Sequence, residues 1–156
     1  LPDLSISGGV AYTDAQVEQF RLPPGGNPLQ VVPPGTELAF APKWKGAFSV
    51  DYRHRTGGAV DFFVGAQANA QSSQLAQFSP DPVVRRFTTI DGYALVNLQG
   101  GIVSADDRFR VTAQVRNLFD ESFAAAITSG GPGGSFRYII PRDADRYYGV
   151  TARVNF

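Results

Sequence analysis

Six times along the chain, apolar and polar residues alternate with period two, each time over about ten residues. Successive side chains of an extended strand point to opposite faces, so each segment presents one apolar and one polar side. The first sets Leu4, Ile6, Val10 and Tyr12 against Ser5, Ser7, Gly9, Ala11 and Thr13. The second sets Trp44, Phe48, Val50 and Tyr52 against Lys43, Lys45, Ser49, Asp51 and Arg53. In the third, Val60, Phe62, Val64, Ala66 and Ala68 oppose Ala59, Asp61, Gly65, Gln67 and Asn69, and Phe63 breaks the pattern. The fourth places Ala94, Val96, Leu98 and Ile102 against Asn97, Gln99 and Gly101, with Tyr93 and Leu95 out of phase. The fifth opposes Phe109, Val111, Ala113 and Val115 to Arg110, Thr112, Gln114 and Arg116. The sixth runs from Tyr147 to Phe156, with Tyr148, Val150, Ala152, Val154 and Phe156 on its apolar side.

An amphipathic helix needs apolar residues three and four apart, and none of the six segments has that spacing; only residues 16–20 and 72–78 leave room for a helical turn. Strands of soluble proteins more often run about five or six residues, whereas about ten is the length of a tilted strand crossing a bilayer. The connections sort by length. Asp14 to Pro42, Ala70 to Thr89, and the stretch containing Gly130 to Gly134 are long; His54 to Gly58 and Ala105-Asp106-Asp107 are short. Long loops at one end and tight turns at the other are the habit of outer-membrane barrels. With the long loops outside, segments one, three and five run outward and the others inward. Tyr12, Trp44 and Tyr148 then mark the outer ends of the apolar faces, and Tyr52, Phe109 and Phe156 the inner ends.

The apolar sides carry no charge, while Lys45, Asp51, Asp61, Arg110, Arg116 and Arg153 all stand on the polar sides. A cation on a lipid-facing side at mid-bilayer costs about 2–4 kcal/mol. The fold class expected is therefore all-β: six antiparallel transmembrane strands. No apolar run approaches the length of a transmembrane helix. Lys plus Arg equals Asp plus Glu, 14 each, which gives no electrostatic footprint for nucleic acid. Cysteine is absent, so disulfides and thiolate metal sites are excluded. No basic stretch followed by an apolar one stands at Leu1, and the chain is expected to be a piece of a longer one.

The segment from Val115 to Phe123 contains Asn117-Leu118-Phe119-Asp120, which resembles the Asn-Leu-Phe-Asp signature of TonB-dependent receptors. In that family the signature closes the penultimate strand, ahead of the last extracellular loop and a final strand ending in Phe, and the order here is the same. The terminal pattern of Tyr148, Val150, Ala152, Val154 and Phe156 resembles the family's assembly signal, read by the barrel-assembly machinery through edge pairing. The resemblance implies that residues 1–156 are the C-terminal portion of a 22-stranded outer-membrane β-barrel. It also implies a plug domain, absent here, through which the TonB complex drives import of a scarce nutrient such as a ferric siderophore. The implied location is the outer membrane of a Gram-negative bacterium, in contact with its lipid, with no cofactor. The competing readings are a passive outer-membrane channel and a soluble all-β ligand-binding module.

No nucleophile–base constellation suggests an enzyme, and no catalytic or metal-ligating set is assigned. His54 lies beside Arg53 and Arg55 without companion ligands and reads as a surface residue. Asp106-Asp107 reads as a solvated turn. Asp143 and Asp145, with Arg142 and Arg146, read as a solvated loop with ion pairs, a calcium loop being the alternative. Gly130 to Gly134 lacks the Gly-Lys-Ser/Thr ending of a phosphate loop. Arg110, Gln114 and Arg116 form a polar stripe that reads, residue by residue, as a hydrated wall paired with Asp or Glu on neighbouring strands, a lumen wall touching substrate or plug being the alternative. The loop aromatics Phe20, Phe40, Phe78, Phe87, Phe123, Phe136 and Tyr138 either pack among the loops or grip a ligand.

Overall fold

The computed structural model describes residues 3–156. Its frame is a single six-stranded antiparallel sheet. The strands are β1 (Leu4–Tyr12), β2 (Trp44–His54), β3 (Val60–Gln71), β6 (Tyr93–Ser104), β7 (Phe109–Arg116) and β10 (Tyr147–Val154). Between β3 and β6 lie β4 (Gln74–Leu75), α1 (Pro82–Phe87) and β5 (Thr89–Ile90); between β7 and β10 lie β8 (Ala126–Ser129) and β9 (Phe136–Ile139). The six long strands pair in chain order, β1-β2-β3-β6-β7-β10. This meander is what antiparallel neighbours joined by turns produce. Among the described residues, β1 and β10 each pair on one side only, so the sheet is open.

Each alternating segment is a strand in the expected phase. The register aligns Tyr12 with Trp44, Val50 with Ala66, Leu98 with Val115, and Ala152 with Val111, so one apolar face runs unbroken across the sheet. That face is open. Val10 and Val150 are each 76% exposed, and Phe48, Phe62, Val64 and Tyr148 are exposed as well. A soluble monomer rarely leaves so wide an apolar surface uncovered. Among the described residues no helix is long and apolar enough to cross a membrane, which has no bearing on strands.

The buried hydrophobic residues lie elsewhere. Val32, Ala76, Ile90, Ile127 and Ala144 belong to the connections or their short elements, and Val103 alone comes from the long strands. The three long connections leave one end of the sheet and the two short turns leave the other.

Three expectations need correction. Residues 16–20 form no helical turn; Gln16 instead bridges Glu37. Within 72–78 the chain makes β4, and the helix is α1, where Asp81 accepts from the Val83 amide at 2.8 Å and Pro82 opens the first turn. An Asp cap followed by proline is a helix-start signal that apolar periodicity does not register. The last strand ends at Val154: the Asn155 amide still donates to the Arg108 carbonyl at 2.7 Å, and Phe156 lies beyond the ladder.

Candidate functional site

The polar face has two levels. At the short-turn end, Arg53 of β2 bonds the Asp61 carboxylate of β3 at 2.9–3.0 Å and reaches Asp107 of the β6–β7 turn at 3.0 Å. Asp61 also accepts from the Thr56 amide at 3.1 Å. One arginine thus ties both short turns to the wall. Asp107 has a φ of 55°, a left-handed conformation that Asp tolerates better than most residues. Its neighbour Asp106 accepts from the Ser104 hydroxyl at 2.6 Å and from the Arg108 amide, and these bonds hold its carboxyl below the usual range. The pair is the turn expected, with Asp107 given a partner across the sheet. His54 ends β2 on the face of Tyr52, with the two rings 6.5 Å apart.

The residue that breaks the alternation, Phe63, points to the polar face, and Arg110 of β7 lies over its ring at 3.8 Å. Gly101 of β6 makes room: a side chain there would run into the Val111 carbonyl and the Phe63 ring. Gly65 plays the same part on β3. A side chain at that position would meet Asp51 and Gln99, which bond across it at 3.3 Å. These glycines let bulky or polar partners meet over a strand.

The Asn117-Leu118-Phe119-Asp120 run is a knot of backbone contacts at the long-loop end. Asn117 and Asp120 have φ of 50° and 57°, a conformation few residues other than Gly, Asn and Asp adopt readily. Asn117 is 2% exposed. Its amide donates to the Asn97 side chain of β6; its own side chain accepts from the Glu121 amide and donates to the carbonyls of Glu121 and Asp143. Asp120 accepts from the Arg146 amide at 2.9 Å, and the Leu118 amide donates to Val96. The run therefore fastens β6, β7 and the approach to β10 together, while Phe119 stays 70% exposed. Arg146 pairs with Asp120, not with Asp143 or Asp145. Among the described residues no three His, Cys, Asp or Glu gather in a metal-holding group.

The loops pack on one another. Ala76, Ile90 and Ile127 form a small core with Ala124 and Phe136 against it. Phe87 stacks on Phe136 at 6.0 Å, Tyr93 on Phe123 at 3.9 Å, and Phe20 approaches Phe78 at 6.2 Å. The first loop joins the second where the Phe40 amide donates to the Leu75 carbonyl at 2.8 Å. Tyr93, out of phase in the sequence, thus serves the loop layer. Among the clefts at this level, two adjoin the last two long loops. One, of about 330 Å³, lies among Tyr93, Glu121, Phe123 and Tyr138. The other, of about 270 Å³, is lined by Gln114, Arg116, Arg142, Asp143, Asp145 and Tyr147. Gln114 and Arg116 therefore line one cleft at the long-loop end, while Arg110 lies toward the other end of the same strand, roughly 20 Å from Arg116 at about 3.4 Å per residue.

The family model described as "TonB dependent receptor-like, beta-barrel" matches residues 3–118. The chain belongs to that family. No curated protein and no solved structure matches it. TonB-dependent receptors are outer-membrane transporters and not enzymes, and the six-stranded antiparallel wall found here is of the kind such a barrel requires. The match covers the first four long strands, all of β7 and the first two residues of the signature; β10 lies beyond it.

Proposed function

We propose that residues 1–156 are the C-terminal six strands of a 22-stranded transmembrane barrel that imports a scarce nutrient, such as a ferric siderophore. The observation that carries this reading is the continuous, exposed, uncharged apolar face of a meander whose long loops all leave one end. Lipid is the medium that covers such a face without a core. The polar face then lines the lumen, where Arg110, Gln114 and Arg116 face substrate or plug. The plug and the TonB contact belong to parts of the protein outside these residues. The free edge of β10, with Tyr148, Val150, Ala152 and Val154 exposed on its apolar side, is the strand offered to the barrel-assembly machinery, and Phe156 ends the signal.

Uptake of ferric siderophores by cells carrying the full-length protein tests the reading. The expected result is uptake that disappears when TonB is deleted. Uptake that persists without TonB would favour a passive channel instead. Deleting Phe156 is expected to reduce the amount of protein reaching the outer membrane.

A further inference from the structure

The cleft of about 330 Å³ between the second and third long loops is one-sided in charge. Asp91 and Glu121 both line it, and no Lys, Arg or His does. Among the described residues neither carboxylate takes part in an ion pair. Arg85 is held by the carbonyls of Ser79 and Pro80, and Arg146 by Asp120. The other cleft, in contrast, carries both signs, with Arg116 and Arg142 beside Asp143 and Asp145. The backbone under both carboxylates is pinned. The Glu121 amide donates to the Asn117 side chain at 2.8 Å, and the Glu121 carbonyl accepts from it at 2.9 Å. Asp91 follows the buried Ile90 of β5 and precedes Gly92, where a Cβ would lie 2.8 Å from the Gln71 carbonyl. Much of the remaining lining is apolar: Ile90 and Ile127 from the small loop core, Phe123 stacked on Tyr93, and the exposed ring of Tyr138.

We infer that this cleft binds an organic cation, an ammonium or guanidinium group carried on an apolar body. That the cation is the imported nutrient rests on the importer reading; the cleft itself does not. A cleft holding two carboxylates and no counter-charge concentrates negative potential. A neutral solute leaves that potential uncompensated, and an anion is repelled. A bare metal ion finds too few ligands, since among the described residues no three His, Cys, Asp or Glu gather. An organic cation uses both halves of the lining: its charge meets the carboxylates, and its body lies against the rings and the isoleucines. The faces of the rings attract the charge as well. The volume falls at the lower end of the roughly 300–1,000 Å³ typical of small-molecule sites. Because the backbone under Asp91 and Glu121 is already fixed, little ordering accompanies binding.

The test uses the full-length receptor in lipid nanodiscs, titrated calorimetrically at low salt with benzyltrimethylammonium. Benzenesulfonate and benzyl alcohol serve as the anionic and neutral controls, and empty nanodiscs as the blank. Wild type is expected to bind the cation and neither control. Both carboxylates are exposed, so Glu121→Gln and Asp91→Asn are each expected to weaken binding about threefold, as loss of a solvent-exposed ion pair does. Asp14→Asn, which removes the same charge from the first loop, is expected to leave binding unchanged. The melting temperatures of Glu121→Gln and Asp91→Asn should equal that of wild type, since neither side chain holds another group. Absence of cation binding in wild type, equal binding of benzenesulfonate, or unchanged binding in both cleft variants overturns the inference. So does an Asp14→Asn variant that loses as much, which would assign the effect to the general field of the loops. A lower melting temperature in both cleft variants also overturns it, because a cation elsewhere in the full chain would then occupy the carboxylates. If uptake depends on TonB while the cation fails to bind, the importer reading stands without the cleft; if the cation binds and uptake ignores TonB, the cleft stands without the importer.

Discussion

The wall and the loop layer of this chain are built on opposite principles. In the wall, large apolar residues such as Val10, Phe62 and Val150 face outward and lie open, and the long strands contribute only Val103 to the buried hydrophobic set. In the loop layer, short elements gather around Ile90 and Ile127, each 2% exposed. The wall is held by lateral backbone pairing and leaves its apolar side to the surroundings; the loops are held by burying apolar side chains against each other. The contrast shows that a hydrophobic residue's position along the chain does not say what covers it. In the proposed barrel the wall's covering is lipid; in the loops it is another part of the same chain.

The sharpest way to break this comparison is to place a charge on the wall's apolar face. Val150→Arg in the full-length protein is expected to cost about 2–4 kcal/mol in a lipid bilayer, while Thr151→Arg on the polar face costs far less. Equal effects in a urea unfolding series would remove the distinction between the two faces. In the loop layer, Ile127→Ala is expected to cost about 2–3 kcal/mol by leaving a cavity beside Ile90. The loss should show as faster amide exchange in residues 74–90 and 126–139, with the wall's exchange unchanged. A loss spread over β1 to β3 would mean that the two regions are not separate.

Asn117 joins the regions. Asn117→Ala is expected to cost about 1–3 kcal/mol, because the Glu121 amide and the carbonyls of Glu121 and Asp143 lose their side-chain partner. Asn117→Gly keeps the left-handed backbone and should recover only the part due to conformation. If Gly restores full stability, the hydrogen bonds contribute nothing.

The smallest expected effect concerns the Asp106 turn. Its carboxyl is held below the ordinary Asp range by the Ser104 hydroxyl first and the Arg108 amide next. A depressed folded value means that its contribution is fully present above the unfolded value and is lost as pH falls through the folded one. Amide exchange at Arg108 should therefore rise only at a pH below the ordinary Asp titration range. Ser104→Ala should move that onset toward higher pH. An onset unaffected by Ser104→Ala would show that the bond does not set the titration.

The sequence alone determined the wall. Period-two alternation, strand length and the sorting of long and short connections depend on nearest-neighbour geometry, so the six strands, their phase and the end at which the loops gather were all legible. The apparent faults were legible as faults, Phe63 and Tyr93 among them, but their meaning was not. Phe63 supports Arg110 from two strands away, and Tyr93 packs on Phe123, contributed by a different loop. Likewise the signature run could be recognised from its four residues, whereas the partners Asn97, Asp143 and Arg146 come from distant positions. The clefts and the small core between the loops belong to the same class. Alternation is written in consecutive residues because a strand's two faces are set by its own backbone. Contacts between loops depend on which strands become neighbours and in what register, and only the tertiary structure decides that.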